Sequence, residues 1–223
     1  MRDRLIRAGV AAAVAALVAW ACWQRWHFLA TSPYPYGVDG YYYAIQLRSL
    51  LDSGHMYYPA SPLVMYWMLP FAAVVGPIAG AKLAAALGTA LLAVPAYLLG
   101  RRISGERSIG LLAATLAATS AQATYHAFEF IKQGVGLTLV TAYLAALLWA
   151  LDRPGRGRVA LAVALLLAAA LAHKTGAALG VLVSLPPIVA AARARGWRPG
   201  LRDRATRIAA GAALLLLAVS LAL

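Results

Sequence analysis

The chain has a single cysteine, Cys22, so no intramolecular disulfide can staple it, and a lone thiol inside an apolar stretch says little about compartment. Charge is scarce as well: 12% of residues are charged and only seven are acidic, against roughly a quarter charged in a soluble domain. No GxxxxGK[ST] run and no strand-turn-helix glycine fingerprint occurs, which removes the two common nucleotide-phosphate cradles. The net charge of +13 would suggest nucleic acid in a soluble protein. Here no basic face with interleaved aromatics exists on a soluble element, so nucleic acid is not an expected partner. Internal repeats, long linkers and a soluble domain are also missing.

What is present is lipid-soluble. With 63% hydrophobic residues and a mean hydropathy of +0.74, the Ala/Leu runs are too long for core helices of a soluble domain. The composition predicts an all-α, polytopic membrane bundle of about seven transmembrane helices. Their expected positions are Arg7 to His27, Ala79 to Gly100, Ser108 to Gln122, Gly134 to Leu151, Val159 to Ala172, Gly176 to Ala192 and Ile208 to Leu223. Pro62 to Val75 is equally apolar but has 14 residues, about 21 Å of helix against a hydrocarbon core of about 30 Å.

Charge asymmetry decides how that segment is read. If it lies in or re-enters the outer interface, 15 of the 20 basic residues fall on the cytoplasmic side, from Arg2, Arg4 and Arg7 through Arg101, Arg102, Arg107, Arg153, Arg156 and Arg158 to the group ending at Arg207. Only Arg25, Arg48, Lys82, Lys132 and Lys174 remain outside or at membrane depth. If it spans, every later loop inverts, against the positive-inside rule. The expected protein is therefore integral to a plasma or inner membrane, with a cytoplasmic N-terminus and its active face extracytoplasmic. MRDRLIR before an apolar run also fits a signal peptide, but the Trp20, Trp23 and Trp26 end reads better as an interfacial aromatic belt than as a cleavage site. The finish at Leu223 without a polar tail suggests a truncated chain or a minimal module.

Residues 1–223 thus read as one transmembrane module, with a first outer loop over about 28–78 and a second over about 123–133. The first loop places Asp39 ahead of a tyrosine cluster and an amphipathic helix, with Tyr43, Ala44, Leu47, Leu50 and Leu51 on one side and Gln46, Arg48, Ser49 and Asp52 on the other. Such a helix would lie along the membrane surface. Asp39 is either an N-cap for that helix or a carboxylate held at the interface as a general base or metal ligand, beside rings that can pack on a sugar. In the second loop, His126, Glu129 and Lys132 or Gln133 share a face if the segment is helical; they form an acid-base-cation group or a simple Glu129/Lys132 ion pair. A third polar point is His173–Lys174. Lys174 ends a short helix and is expected below the outer surface, needing an anion or wet cavity, unless tilt brings it out to water.

VDGYYYAIQLRSLLDSG, SPLVMYWMLP and YLLGRRISGERSIGLLAATLAATS together resemble the N-terminal module of the GT-C superfamily of lipid-linked-sugar glycosyltransferases, which includes oligosaccharyltransferases, protein O-mannosyltransferases and the aminoarabinose transferase of lipid A. The first run is similar to that family's Asp-x-x-Tyr-Tyr/His pattern, and the resemblance covers roughly residues 1 to 150. It implies transfer of a sugar from a polyprenyl-phosphate donor to an acceptor on the extracytoplasmic face. Asp39 would be the catalytic acid/base and Glu129 a second acid, with Tyr42, Tyr43, His126, Lys132, His173 and Lys174 binding substrate. A divalent cation, Mg or Mn, would rest on Asp39 and Glu129, although no second Asp stands beside Glu129 to complete the paired-acid site. A partner subunit or a missing C-terminal half is expected to supply the acceptor site. The other reading is a non-catalytic multipass subunit or lipid-binding scaffold.

Overall fold

The structure, a computed structural model, describes residues 1–194; the span expected over Ile208 to Leu223 lies outside them. Among the described residues the protein is entirely helical, with α1 (Arg2–Ala30), α2 (Gly40–Ser53), α3 (Pro62–Val75), α4 (Pro77–Ala90), α5 (Ala93–Ser104), α6 (Arg107–Thr119), α7 (Ala121–Phe128), α8 (Ile131–Asp152), α9 (Arg156–Ala172) and α10 (Lys174–Ala194). Four helical runs are long and apolar enough to cross a membrane: α1, the α4–α5 rod of 28 residues, α8 and α10. This is a membrane-protein architecture.

The α4–α5 rod stays nearly continuous because only two residues, Leu91 and Leu92, separate its halves. Pro95 cannot donate to the Leu91 carbonyl, and Val94 takes that acceptor instead at 3.1 Å. Two other expected spans form helices of fewer than 18 residues, one shorter and one longer than predicted. The run from Ser108 to Gln122 is interrupted at Ser120, whose backbone is extended (ψ 122°) and whose hydroxyl caps α7 through the Ala123 amide at 3.2 Å. That leaves α6 with 13 residues, about 20 Å. Helix α9 has 17 residues and carries Arg156 and Arg158 in its first turn.

Helix α3 pairs antiparallel with α4 as a hairpin. Gly76 makes the turn at φ +85°, a value that only glycine adopts without strain, and Pro77 starts α4 with its φ already helical. A side chain at Gly80 would run into the Phe71–Ala72 backbone, and Trp67 donates its indole N–H to the Ala84 carbonyl at 3.0 Å. Helix α2 packs onto this hairpin through Tyr43, Leu47 and Leu50, in a core shared with Val64, Met65 and Met68.

Polar residues collect at the two ends of the bundle. At one end Arg107 bonds Asp3 at 2.8 Å and Arg102 grips Asp152, tying the start of α1 to the α5–α6 turn and to the end of α8. The opposite end gathers the close of α1, the α2–α3 region, the α7–α8 junction and the α9–α10 junction. Along α1, Ala21 shares a cluster with Ala90 and Ala93 and Leu29 shares one with Ala86, while Lys82 reaches the Ser32 carbonyl just past the end of α1, so the first turn of α4 projects beyond α1 at that second end. Small residues allow close approach elsewhere: Gly88 faces Val135, and Gly134 faces Thr89.

Candidate functional site

The segment between α1 and α2 is irregular but tied down at several points. Lys82, almost fully buried on α4, donates to the Ser32 carbonyl at 2.6 Å and lies 5.3 Å from the Tyr36 ring centroid. The Thr31 and Tyr36 hydroxyls share a hydrogen bond of 2.6 Å, and Tyr36 stacks on Phe28. Gly37 adopts φ +77°, and a β-carbon there would press on the Phe128 carbonyl and come within 2.6 Å of Glu129 Oε2, so the position suits glycine on both counts. The next amide, Val38 N–H, donates to Glu129 Oε1 at 3.3 Å. One acid therefore holds the loop immediately before the other.

Asp39 stands at the N-cap of α2, and its backbone carbonyl accepts the Tyr43 N–H at 3.4 Å. Its carboxylate makes no capping hydrogen bond and is exposed. The first-turn amides do not engage the side chain that N-capping would engage, leaving the group available for other chemistry.

Behind Asp39 the tyrosines form an ordered stack. Tyr42 stacks on Tyr58 at 6.4 Å between centroids and meets Tyr43 edge-on at 5.4 Å. Lys132, from the first turn of α8, sets its ammonium 4.7 Å from the Tyr42 ring centroid and 6.0 Å from that of Tyr43. Its backbone N–H donates to the Tyr43 hydroxyl at 3.4 Å. Burial raises the Tyr43 phenol above its ordinary value; the Lys132 hydrogen bond opposes this and the Asp39 charge adds to it. Tyr43 is therefore a neutral hydroxyl, not a source of phenolate.

His173 joins the cluster from the α9–α10 junction, where its extended backbone (φ −163°) ends α9. Its Nδ1 accepts the Thr175 N–H at 3.2 Å. Burial, with the positive charges of Lys132 and Lys174, holds the imidazole below its ordinary value, so it is neutral near pH 7. Lys174 is exposed, contrary to the expectation that it would be withdrawn below the surface.

The shared helical face expected for His126, Glu129 and Lys132 does not form. Helix α7 ends at Phe128, Phe130 turns the chain at φ −127°, ψ 59°, and Lys132 belongs to the next helix. His126 is paired with Gln122 at 3.0 Å and tilted against Phe130, away from the tyrosine stack. Glu129 and Lys132 make no ion pair; the ammonium goes to the rings and the carboxylate to Val38.

Two further residues build the site without having been singled out by the sequence pattern. Gln46, expected on the polar side of α2, is completely buried. Its amide donates to the Tyr58 carbonyl at 2.7 Å and accepts the Tyr58 N–H at 2.9 Å, pinning the tyrosine that stacks on Tyr42. The signal was the spacing of Tyr43, Gln46, Leu47 and Leu50, a complete i, i+3, i+4, i+7 stripe. Lys82 is the second, buried by the projection of α4.

Among the described residues no group of three or more His, Cys, Asp or Glu side chains is placed to hold a metal ion. Asp39 and Glu129 would offer at most two carboxylates, one of them already engaged, too few for the divalent-cation site the resemblance implies. A cavity of about 20 Å³ lies beneath the cluster between Tyr36, Gly40, Tyr43 and Lys82, room for about one water. Neither acid lines it. The arrangement gathers an exposed carboxylate, a neutral imidazole, an ammonium and a ring stack at one end of the bundle: a base, a cation and an aromatic platform. No protein-family model, curated protein or solved structure matches the chain.

Proposed function

We propose that the protein is a membrane glycosyltransferase that moves a sugar from a polyprenyl-phosphate donor to an acceptor hydroxyl on the extracytoplasmic face. The observation that carries this reading is the joint between the two outer acids: Glu129 holds the Val38 amide, and the adjacent Asp39 carboxylate stands free of its helix, near enough to Tyr43 for its charge to act on that phenol. In this reading the arginine end is cytoplasmic, as the positive-inside rule requires, and the acid end is extracytoplasmic. Helices α6–α7 and α9 cross the membrane in this reading, as well as the four long rods.

In the transfer step the acceptor oxygen forms a bond to the anomeric carbon while the bond from that carbon to the phosphate oxygen breaks. Asp39 takes the hydroxyl proton as general base, and the lipid phosphate leaves with the bonding electrons. Lys132 stabilises the charge growing on that phosphate, with exposed Lys174 as a second cation. Tyr42 and Tyr58 offer a face on which a sugar ring can stack, and Glu129 is a positioning residue that fixes the Asp39 loop. An acceptor-binding half supplied by a partner subunit completes the enzyme.

A non-catalytic subunit is the second reading. It is favoured by the engagement of Glu129 with backbone and by the small cavity beneath the cluster. The two separate in a membrane assay with a labelled polyprenyl-phosphate sugar. Asp39→Asn should lower transfer by about 100-fold or more, the usual contribution of a general base, with expression intact. Transfer at the unmodified rate would remove Asp39 from the mechanism and favour the scaffold.

A further inference from the structure

The arginine end contains a cavity that the proposed chemistry does not use. It has a volume of about 780 Å³, within the range of about 300–1,000 Å³ of small-molecule sites, and opens between α5, α8 and α9. Its walls are apolar: Leu98 from α5, Leu165 from α9, and Ala145 from α8, whose small side chain leaves the gap. Its mouth is cationic. Arg101, Arg102 and Arg153 line it together with Trp149 and a single acid, Asp152.

That acid is already engaged. Arg102 approaches both Asp152 carboxylate oxygens through Nε and Nη2, in the two-pronged arrangement that satisfies one guanidinium with one carboxylate. Arg101 and Arg153, both exposed, have no carboxylate partner among the described residues. Arg158 adds a further guanidinium, 4.7 Å from the Trp149 ring centroid, and donates to the Arg153 carbonyl. The rim therefore has an excess of positive charge facing an apolar slot.

We infer that this groove binds an anionic diacyl phospholipid drawn from the leaflet at the arginine end, its phosphate on Arg101 and Arg153 and an acyl chain between α5, α8 and α9. Charge complementarity selects the occupant. A soluble anion would leave the apolar walls unfilled, and a zwitterionic headgroup brings an ammonium toward uncompensated guanidinium groups. Basic pockets between membrane helices are suited to acidic headgroups, and guanidinium forks match phosphate oxygens. Nothing in this site involves Asp39, so its success or failure is independent of the glycosyltransferase reading, and Asp39→Asn should leave lipid retention unchanged.

The test is native mass spectrometry of the full chain purified in neutral detergent, exposed to equimolar phosphatidylglycerol and phosphatidylcholine. The expected result is preferential retention of one phosphatidylglycerol. It should weaken about 30-fold in the Arg101→Gln/Arg153→Gln double variant, at roughly fivefold for each surface charge removed. Ala145→Phe, which fills the slot while keeping the rim, should also abolish retention. Because Ala145→Phe can perturb packing, the exposed glutamine variant decides on its own: phosphatidylglycerol retained as before in that variant overturns the proposal. So does equal retention of the two lipids. Displacement of the lipid by millimolar inorganic phosphate would reduce the site to a phosphate site and overturn the acyl-chain component. If the unmodified chain keeps neither lipid, the inference fails.

Discussion

At the scale of single residues, the side chain with the most at stake outside the proposed site is Arg25. It is completely buried in α1, without a carboxylate opposite. Its guanidinium instead donates to the carbonyls of Ala118 at 3.0 Å and Ala117 at 3.4 Å, and to the Thr124 hydroxyl at 3.4 Å. Those carbonyls belong to the last turn of α6 and have no partner within that helix, because the chain turns away at Ser120. A cation at a helix C-terminus also complements the local dipole. Arg25→Met keeps the apolar stem and removes the donors, so the α6 carbonyls are left bare inside the bundle. The expected cost is about 1.5–3 kcal/mol, read as a lowered melting temperature of the detergent-solubilised protein. A variant that melts with the wild type would mean those carbonyls find other donors. Sequence reading placed Arg25 among the cations outside or at membrane depth. Its role was not legible because its partners are carbonyls in the last turn of a helix, the first of them 92 residues further along the chain.

At the scale of elements, hydropathy was a good guide to long rods and a poor guide to interruptions. Helix α1, the α4–α5 rod, α8 and α10 lie within a few residues of their expected positions, since each carries an apolar run of the required length. The break between α6 and α7 escaped because Thr119, Ser120 and Gln122 differ little in local character from residues that continue a helix; only the Ser120 cap distinguishes the end. The missed break then produced a false helical face for His126, Glu129 and Lys132. Pro62 to Val75 was rejected as an independent span on charge asymmetry, and its pairing with α4 lets it present Val64, Met65 and Met68 to α2 instead. Gly80 sets the distance of that hairpin. A methyl group added there would lie 2.6 Å from the Phe71 carbonyl carbon, a backbone atom that cannot rotate aside. Gly80→Ala should therefore push α3 off α4 at a cost of about 1–3 kcal/mol, the usual penalty for overpacking. Intrinsic fluorescence offers a second readout, because the Trp67–Ala84 hydrogen bond sits on the same interface. Unchanged melting and emission would show that the hairpin has slack the structure does not display.

At the scale of the whole molecule, the sequence told which charges belong together more reliably than which ones touch. Alternation of loops along the chain was enough to group Arg101, Arg102, Arg107 and Arg153 at one end and Asp39, Glu129, Lys132 and His173 at the other, and the folded chain keeps that division. Distances within each group depended on features with no signature in one dimension: the Gly37 turn, the projection of α4 that buries Lys82, and the Gln46 clamp. The proposed cytoplasmic orientation of the arginine end rests on the arginine excess and can be measured directly. Ser104, beside the arginine cluster, and Ser53, at the end of α2, are both exposed, so either cysteine would be reachable by a reagent on its own side. The native thiol, Cys22, is half-buried and would be replaced by serine for the background. In intact cells a membrane-impermeant maleimide should label Ser53→Cys and leave Ser104→Cys unmodified until the membrane is opened. Labelling of Ser104→Cys from outside would invert the bundle, put the acid cluster in the cytoplasm, and remove the lipid-linked donor from reach of Asp39. Labelling of both from outside would mean that the rods between them do not carry the chain across, which the 28-residue length of the α4–α5 rod and its apolar surface argue against.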